Sequence, residues 1–308
     1  MPLPGRVTRS NSLAQGPRLC GSGATSDHGS DVRQIFSAGD DDHANQSLGV
    51  AELLGTPGQV TPSAPGAASD MIDALARIYA YPAGRWVRAN MIASVDGAIA
   101  LDGRSGGLSG AADKLVFAVL RSLADVIVVG AGTVRAERYR QAKPGELWQQ
   151  LRAGRPPAPP VAVITRTLDL DLGHRLFATS SGPTSAGLAR TIVLTTALAP
   201  ASRLAAARQV ADVVVAGADS VKAAGALDAL ASCGYKRILV EGGPMLLGEF
   251  VAGGLLDELC LTISPLLEGG HAAARVTTSA WRTSLTGLRL ATVLEDDGFL
   301  LTRYVRAG

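Results

Sequence analysis

A chain of 308 residues that is 47% hydrophobic and 18% charged has the material for a sizeable buried core, in one large domain or two modest ones. A formal net charge of +2, with basic residues scattered along the chain, offers no footprint for nucleic acid or an anionic membrane surface. No apolar run approaches the ~18 residues of a membrane span, and no signal-peptide core follows Arg6, Arg9 and Arg18, so a cytoplasmic protein is expected.

Cys20, Cys233 and Cys260 are too far apart for a metal pair and odd in number for a disulfide framework. They imply a reducing compartment and no metal, with Cys20 in a tail and the other two thiols buried.

Residues 1–68 are rich in Gly, Ser, Ala, Pro and Asp and include the run Asp40-Asp-Asp42. Such a stretch buries too little apolar surface to offset the entropy of ordering it. It is expected to be a disordered extension, transiently helical at most over Val50–Leu54, ahead of one domain spanning 69–308. Order is expected to begin near Met71. Asp70 caps a helix over Met71–Tyr81, with Ile72, Leu75 and Ile78 on one face and Pro82 as its stop. Trp86–Ser94 is a strand, and residues 111–124 form a helix with Leu115, Val119 and Leu123 at helical spacing. Asp125–Gly130 is a continuous apolar run, the pattern of a strand covered on both faces.

The proline-rich Arg155–Pro160 is a stiff loop. Strands follow at Val161–Thr165, Thr191–Thr195 and Val213–Ala216, then a helix over Val221–Ala231. Strand Arg237–Glu241 leads into a helix opened by Pro244, and strand Glu258–Pro265 comes next. Leu288–Leu294 and Gly298–Val305 form an antiparallel hairpin around Glu295-Asp-Asp-Gly298. Strands alternating with helices give an α/β fold: a mostly parallel central sheet with helices on both faces, extended by the C-terminal hairpin.

Four segments carry chemistry. At Glu241-Gly-Gly-Pro244 a buried strand passes through two glycines into a helix whose first position is proline, where the missing N–H is harmless. The free N–H groups and dipole of such a helix start favour a phosphate by roughly 0.3–2 kcal/mol. The pattern is not G-x-G-x-x-G, and a tight turn that needs glycine for its geometry gives the same letters. Val128-Val-Gly-Ala-Gly-Thr-Val134 is a second corner of this kind, leading into Thr133. Two glycine corners at the C-terminal ends of parallel strands mark where ligands gather in open α/β sheets. Thr165-Arg-Thr167 ends a third strand in two hydroxyls around a guanidinium. Arg166 is either a solvated loop residue or a clasp for a phosphate such as the 2′-phosphate of NADPH, worth about 1.5–3 kcal/mol. Finally, Asn90-Met-Ile-Ala-Ser-Val-Asp-Gly97 runs into the glycine-rich Gly103–Gly107, a loop able to close over a substrate. Asp96 there is either a turn former or a site carboxylate.

Together, Ala93-Ser-Val-Asp-Gly97, Arg121, Gly130-Ala-Gly-Thr-Val134, Thr165-Arg-Thr167, Glu241-Gly-Gly-Pro244 and Leu256-Asp-Glu-Leu-Cys-Leu-Thr-Ile-Ser-Pro265 run in order over about residues 84–306. They resemble the C-terminal reductase domain of the riboflavin-biosynthesis deaminase-reductase, and most closely its stand-alone, actinobacterial-type pyrimidine reductases. The resemblance implies a dihydrofolate-reductase-like fold, a homodimer and NADPH as hydride donor. The implied substrate is 5-amino-6-(5-phosphoribosylamino)uracil, reduced at ribose C1′. It also implies that Thr133, Thr165, Arg166 and the turn Gly242, Gly243, Pro244, Met245, Leu246 and Leu247 hold the cofactor, with a cis Gly242–Gly243 bond. Asn90, Ser105, Arg121 and Glu241 would hold the substrate, Arg121 gripping its 5′-phosphate. Glu241, Glu137, Asp96 or water would relay the proton.

The chain departs from the family pattern at Asn90, where a lysine is usual, at Gly107, where an aromatic is usual, and at Arg138-Tyr-Arg-Gln-Ala-Lys143, which lacks Asp-Pro. No H-x-E with P-C-x-x-C occurs, so neither the deaminase half nor its zinc is expected. Reduction of a pterin such as dihydrofolate on the same scaffold, and a non-catalytic NADP-binding module, are the alternatives.

Overall fold

The computed structural model describes residues 33–37, 58–59, 67–142, 146–152, 154–177, 189–269, 275–278 and 285–307. Its elements are, in order, β1 (Arg33–Ser37), β2 (Gly58–Gln59), α1 (Ala67–Ile78), β3 (Trp86–Ser94), a 3-10 turn (Ser105–Leu108), α2 (Ala111–Leu123), β4 (Val126–Gly130), α3 (Ala131–Ala136), α4 (Glu146–Leu151) and β5 (Val161–Ile164). Then come β6 (Ile192–Thr196), α5 (Ala201–Val210), β7 (Asp212–Gly217), α6 (Ala223–Ser232), β8 (Arg237–Val240), α7 (Pro244–Ala252), β9 (Glu258–Ser264), β10 (Leu288–Asp296) and β11 (Phe299–Arg306).

The strands form one sheet in the order β2-β1-β10-β11-β9-β3-β8-β4-β5-β6-β7. From β9 to β7 every pairing is parallel, whereas β11, β10, β1 and β2 add on antiparallel. The α/β class, the mostly parallel sheet and the terminal hairpin are as the sequence implies. The pleat of β4 explains its unbroken apolar run. Ile127 and Val129 join a core under α1, α2 and α5, while Val126 and Val128 join one under α6 and α7.

Some boundaries differ for physical reasons. α1 begins at Ala67, so Asp70 sits in its first turn rather than at a cap, and Met71 lies inside the helix. Its buried stripe is Met71 and Leu75, continued by Tyr79 just past its end, with Ile72 and Ile78 only half-buried. It stops at Ile78, short of Tyr81, where the carbonyls of Tyr79 and Ala80 turn to accept from Arg88. On α2 the buried apolar residues are Ala112, Val116, Val119 and Leu120, so Leu115 and Leu123 flank the core. Cys233 is exposed, not buried, because it follows the last turn of α6; Cys260 is buried on β9. Within 1–68, β1 pairs with β10 and β2 with β1. Val50–Leu54, Asp40–Asp42 and Cys20 lie outside the described residues.

The deepest polar feature joins three adjacent strands. Arg88 of β3 and Glu258 of β9 both have fully buried side chains. Nε of Arg88 donates to Oε1 at 2.8 Å and Nη2 to Oε2 at 3.1 Å, while Nη1 donates to the Tyr79 carbonyl at 2.8 Å. Glu258 also accepts from Trp86 Nε1 at 2.8 Å and from Arg303 Nε of β11 at 2.9 Å. The Tyr81 ring covers the Arg88 guanidinium at 4.0 Å. Burial on its own would raise the Glu258 carboxyl; Arg88 and Arg303 outweigh it and hold it below the usual range.

Removing one partner from such a pair leaves an uncompensated buried charge, so Glu258→Gln is expected to lower unfolding stability by about 3 kcal/mol. Because the folded carboxyl titrates below its unfolded value of about 4.3, its contribution is complete above that pH and disappears as pH falls through the folded value. Urea unfolding of both proteins between pH 3 and pH 7 checks this: the gap should narrow toward acid, and a pH-independent gap would contradict it.

Candidate active site

The site grows from the C-terminal ends of β8 and β4. Glu241 follows β8, its N–H bonded to the Val128 carbonyl at 2.9 Å. Gly242 then takes φ +92°, the left-handed region that glycine tolerates, and the Gly242–Gly243 peptide is cis, as the resemblance implied. Pro244 opens α7 at its first turn. The neighbouring corner is stitched to this one, since the Gly130 N–H donates to the Gly242 carbonyl at 2.9 Å. A Cβ at Gly243 would stand 2.7 Å from Thr133 Oγ1, while one at Gly132 would meet nothing within 4 Å. α3 and α7 thus start side by side, with bare backbone between them.

Beside this double corner lies a cleft of about 590 Å³. Met91, Ile92, Ile99 and Phe117 give it an apolar wall, and Asn90, Ser105, Lys114, Thr133, Glu137, Glu241, Gly243 and Pro244 also line it. Seven residues singled out from the sequence therefore meet here: Asn90, Ser105, Thr133, Glu137, Glu241, Gly243 and Pro244.

Glu241 is clamped from behind. Arg121 Nε donates to Oε1 at 2.8 Å and Nη2 to Oε2 at 2.6 Å, with the Phe117 ring 4.1 Å from the guanidinium. The Tyr139 hydroxyl bridges both partners, accepting from Arg121 Nη2 at 2.6 Å and donating to Glu241 Oε2. Burial, then the Glu241 charge, pushes the Tyr139 hydroxyl well above its ordinary pKa, so it stays protonated as a donor. Of the roughly four acceptor sites on a carboxylate, these bonds take three, leaving about one for a ligand N–H. Glu137 accepts from the Ser105 N–H at 2.8 Å, and Leu101 and Arg104 exchange backbone bonds at 2.8 and 3.0 Å, so the glycine-rich loop is pinned to the cleft.

The remaining residues lie elsewhere. Arg121 is not in the cleft lining, because its fork is engaged by Glu241. Asp96 is exposed and accepts from Ser94 Oγ and from the Gly269 and Glu268 N–H groups at 2.9 and 3.2 Å. Those bonds, Ser94 first, hold its carboxyl at about 2; it fastens a turn and does not line the cleft. Thr165 is buried and accepts from the Leu168 N–H at 3.1 Å, which leaves the exposed Arg166 at the end of β5. Leu246 and Leu247 are core side chains of α7, so only their backbone faces outward chemistry, and Met245 is 74% exposed. Tyr139, Phe117 and Lys114 were not legible as site residues, although Lys114, Phe117 and Arg121 stand at i, i+3 and i+7 on α2.

With this geometry in place, residues 85–298 match the family model described as RibD C-terminal domain. The chain belongs to the RibD C-terminal domain family. It is 30% identical over 189 residues to a protein of Archaeoglobus fulgidus, covering 60% of this chain and 83% of that one. It is 31% identical over 194 residues to one of Methanothermobacter thermautotrophicus, covering 61% and 81%. Both are named 2,5-diamino-6-ribosylamino-4(3H)-pyrimidinone 5′-phosphate reductase. A pyrimidine reductase-like protein of Corynebacterium diphtheriae, 28% identical, superposes with a TM-score of 0.65 over 73% of this chain and 92% of its own.

The RibD C-terminal domain match contains every residue of the cleft and ends at Gly298, in the turn of the last hairpin. Tyr79 and Ala80 just after α1, whose carbonyls accept from Arg88, and β11 with Arg303 complete the buried Arg88–Glu258 network and lie beyond it. Among the described residues, no helix is long and apolar enough to cross a membrane, and no group of three or more His, Cys, Asp or Glu is placed to hold a metal.

The contact between the two corners predicts that Gly243→Ala costs about 1–3 kcal/mol of stability by overpacking against Thr133. Thr133→Ala should recover part of that loss in the double variant. Thermal unfolding of the four-protein cycle measures the coupling, and additive effects would show that the corners do not press on each other.

Proposed function

We propose that this chain reduces a phosphorylated ribosylaminopyrimidine of riboflavin biosynthesis, with NADPH as the reductant. The observation that carries the reading is the Arg121-clamped Glu241, set beside a bare double-glycine corner in a mostly apolar cleft. A flat heterocycle with an N–H fits an apolar wall that ends in one free carboxylate acceptor. The names of the relatives support a pyrimidine of this type in its 2,5-diamino form.

The residues present fit a dinucleotide. Open space over Gly132 and the touching starts of α3 and α7 leave backbone for a pyrophosphate, with Thr133 beside it. Arg166, exposed where β5 ends, is the cation for a 2′-phosphate. When bound, NADPH would supply the hydride to C1′ of the ring-opened imine form of the substrate, in which the former ring oxygen already carries its proton as a hydroxyl, giving the ribityl amine. Glu241 orients the pyrimidine, and Tyr139 and Arg121 hold Glu241. The substrate phosphate falls to Lys114, the one Lys or Arg among the described residues that line the cleft. The proton that completes reduction at the exocyclic nitrogen falls to Glu137, the cleft glutamate that no arginine clamps. A homodimer, with the exposed Val95, Leu266 and Leu267 as its apolar contact, is the assembly we propose.

Absorbance at 340 nm, with NADPH and the phosphorylated diaminopyrimidinone, its uracil counterpart or dihydrofolate in parallel, tests the reading. Oxidation with a pyrimidine supports it, whereas oxidation with dihydrofolate alone, or with none of the three, would overturn it. Glu241→Gln is expected to lower kcat by about 10-fold or more with NADPH affinity unchanged. Lys114→Ala is expected to raise KM for the phosphorylated substrate by about 10-fold, the worth of one charge-assisted bond, with kcat nearly intact. Equal effects of Lys114→Ala on phosphorylated and dephosphorylated substrate would remove Lys114 from that role.

A further inference from the structure

The turn after α3 serves two pockets. The Tyr139 N–H bonds the Val134 carbonyl at 3.1 Å, and Arg138 has φ +49°, so the helix ends with its left-handed position filled by arginine where glycine is usual. An L side chain adopts that backbone only at a cost. Tyr139 goes to the catalytic cleft, while Arg138 and Arg140 on either side of it line a second pocket of about 650 Å³. Arg135 of α3, and His174 and Arg175 from the loop after β5, line it as well. The two pockets have no lining residue in common.

The charge there is lopsided. Among the described residues, Asp171 is the only acid lining the pocket, against four guanidinium groups, in a chain whose net charge is only +2. Arg135 is anchored at Asp169, with Nη1 donating to the carbonyl at 2.7 Å and standing 3.7 Å from the carboxylate, so its charge is partly offset and the excess rests on Arg138, Arg140 and Arg175. His174 Nδ1 accepts from the Leu176 N–H at 3.4 Å, which leaves Nε2–H as the ring's donor. The dipole at the end of α3 accounts for a cation at Arg135. It does not account for Arg140 and Arg175, which lie outside the helix. Clustered cations repel one another, and planar forked donors match phosphate oxygens.

We propose that this pocket binds a small oligophosphate anion, of the pyrophosphate or nucleoside-polyphosphate type, at a site separate from the catalytic cleft. Isothermal titration of the full chain with inorganic pyrophosphate at fixed, low ionic strength tests it, alone and with saturating NADP⁺ or the phosphorylated pyrimidine. Binding should persist in the presence of either. Arg138→Gly places the residue that the left-handed backbone prefers, so the helix end stays intact, and Arg140→Ala alters an exposed side chain. The double variant should weaken pyrophosphate binding by at least about 10-fold, while Arg166→Ala leaves it unchanged. No binding by the native chain, displacement by NADP⁺ or by the pyrimidine, or full affinity in the double variant would each overturn the proposal. None of these outcomes depends on turnover, so failure of the catalytic reading would leave this test intact.

Discussion

The buried contact between Arg88 and Glu258 is the constraint around which the sheet is organised. Two full charges in a dry interior are tolerable only when every donor and acceptor is engaged. Here the carboxylate accepts from Trp86, Arg88 and Arg303, with the Cys260 thiol at 3.5 Å, and the guanidinium turns outward to the carbonyls that end α1. These bonds tie β3, β9 and β11 in one register, across the line where parallel pairing gives way to antiparallel. A slip of one residue would turn Glu258 to the opposite face and leave Arg88 alone in the core. The cleft depends on the same strand, because Asn90, Met91 and Ile92 follow Arg88 along β3.

A second arginine–glutamate pair works at the C-terminal end of β8, the strand beside β3, with a different outcome. Arg121 and Glu241 are 17% and 3% exposed at the side chain, against zero for Arg88 and Glu258. The deep pair is saturated and therefore structural. The shallower pair is held by one arginine and one tyrosine and keeps an acceptor facing the cleft. The same two side chains thus give a saturated fastening in one place and a carboxylate with acceptor capacity to spare in the other, and the number of remaining partners decides which.

Much of the architecture was legible because continuous apolar runs are hard to place anywhere but in a doubly covered sheet. β3 was delimited to the residue, and β4, β5 and β8 to within one. The Asp-Asp-Gly turn located the last hairpin, and the glycine corners located the cleft. Pairings made across long stretches of chain were not legible. Arg88 in a strand looks solvent-facing until a partner 170 residues away is known, and Arg121 looked like a ligand grip because Glu241 is 120 residues downstream. Asp96 was ambiguous for a local reason, since a carboxylate before glycine at a strand end can fasten a turn or serve a site. α5 has no signature in the sequence, because Ala201–Val210 buries only Ala207 fully and carries no apolar stripe.

The strand order also bears on how the chain is made. β3 begins at Trp86, yet its two neighbours are β8 and β9, which begin at Arg237 and Glu258. On a ribosome adding about 5–20 residues per second, roughly 8–34 seconds separate the emergence of β3 from that of the strands that cover its edges. β4, β5 and β6 can pair as they emerge, whereas the centre of the sheet must wait, with Arg88 uncompensated and Val87 and Ala89 in water. Closure of the core is therefore a late event in synthesis, and a nascent chain halted before Glu258 would present an open strand to its surroundings.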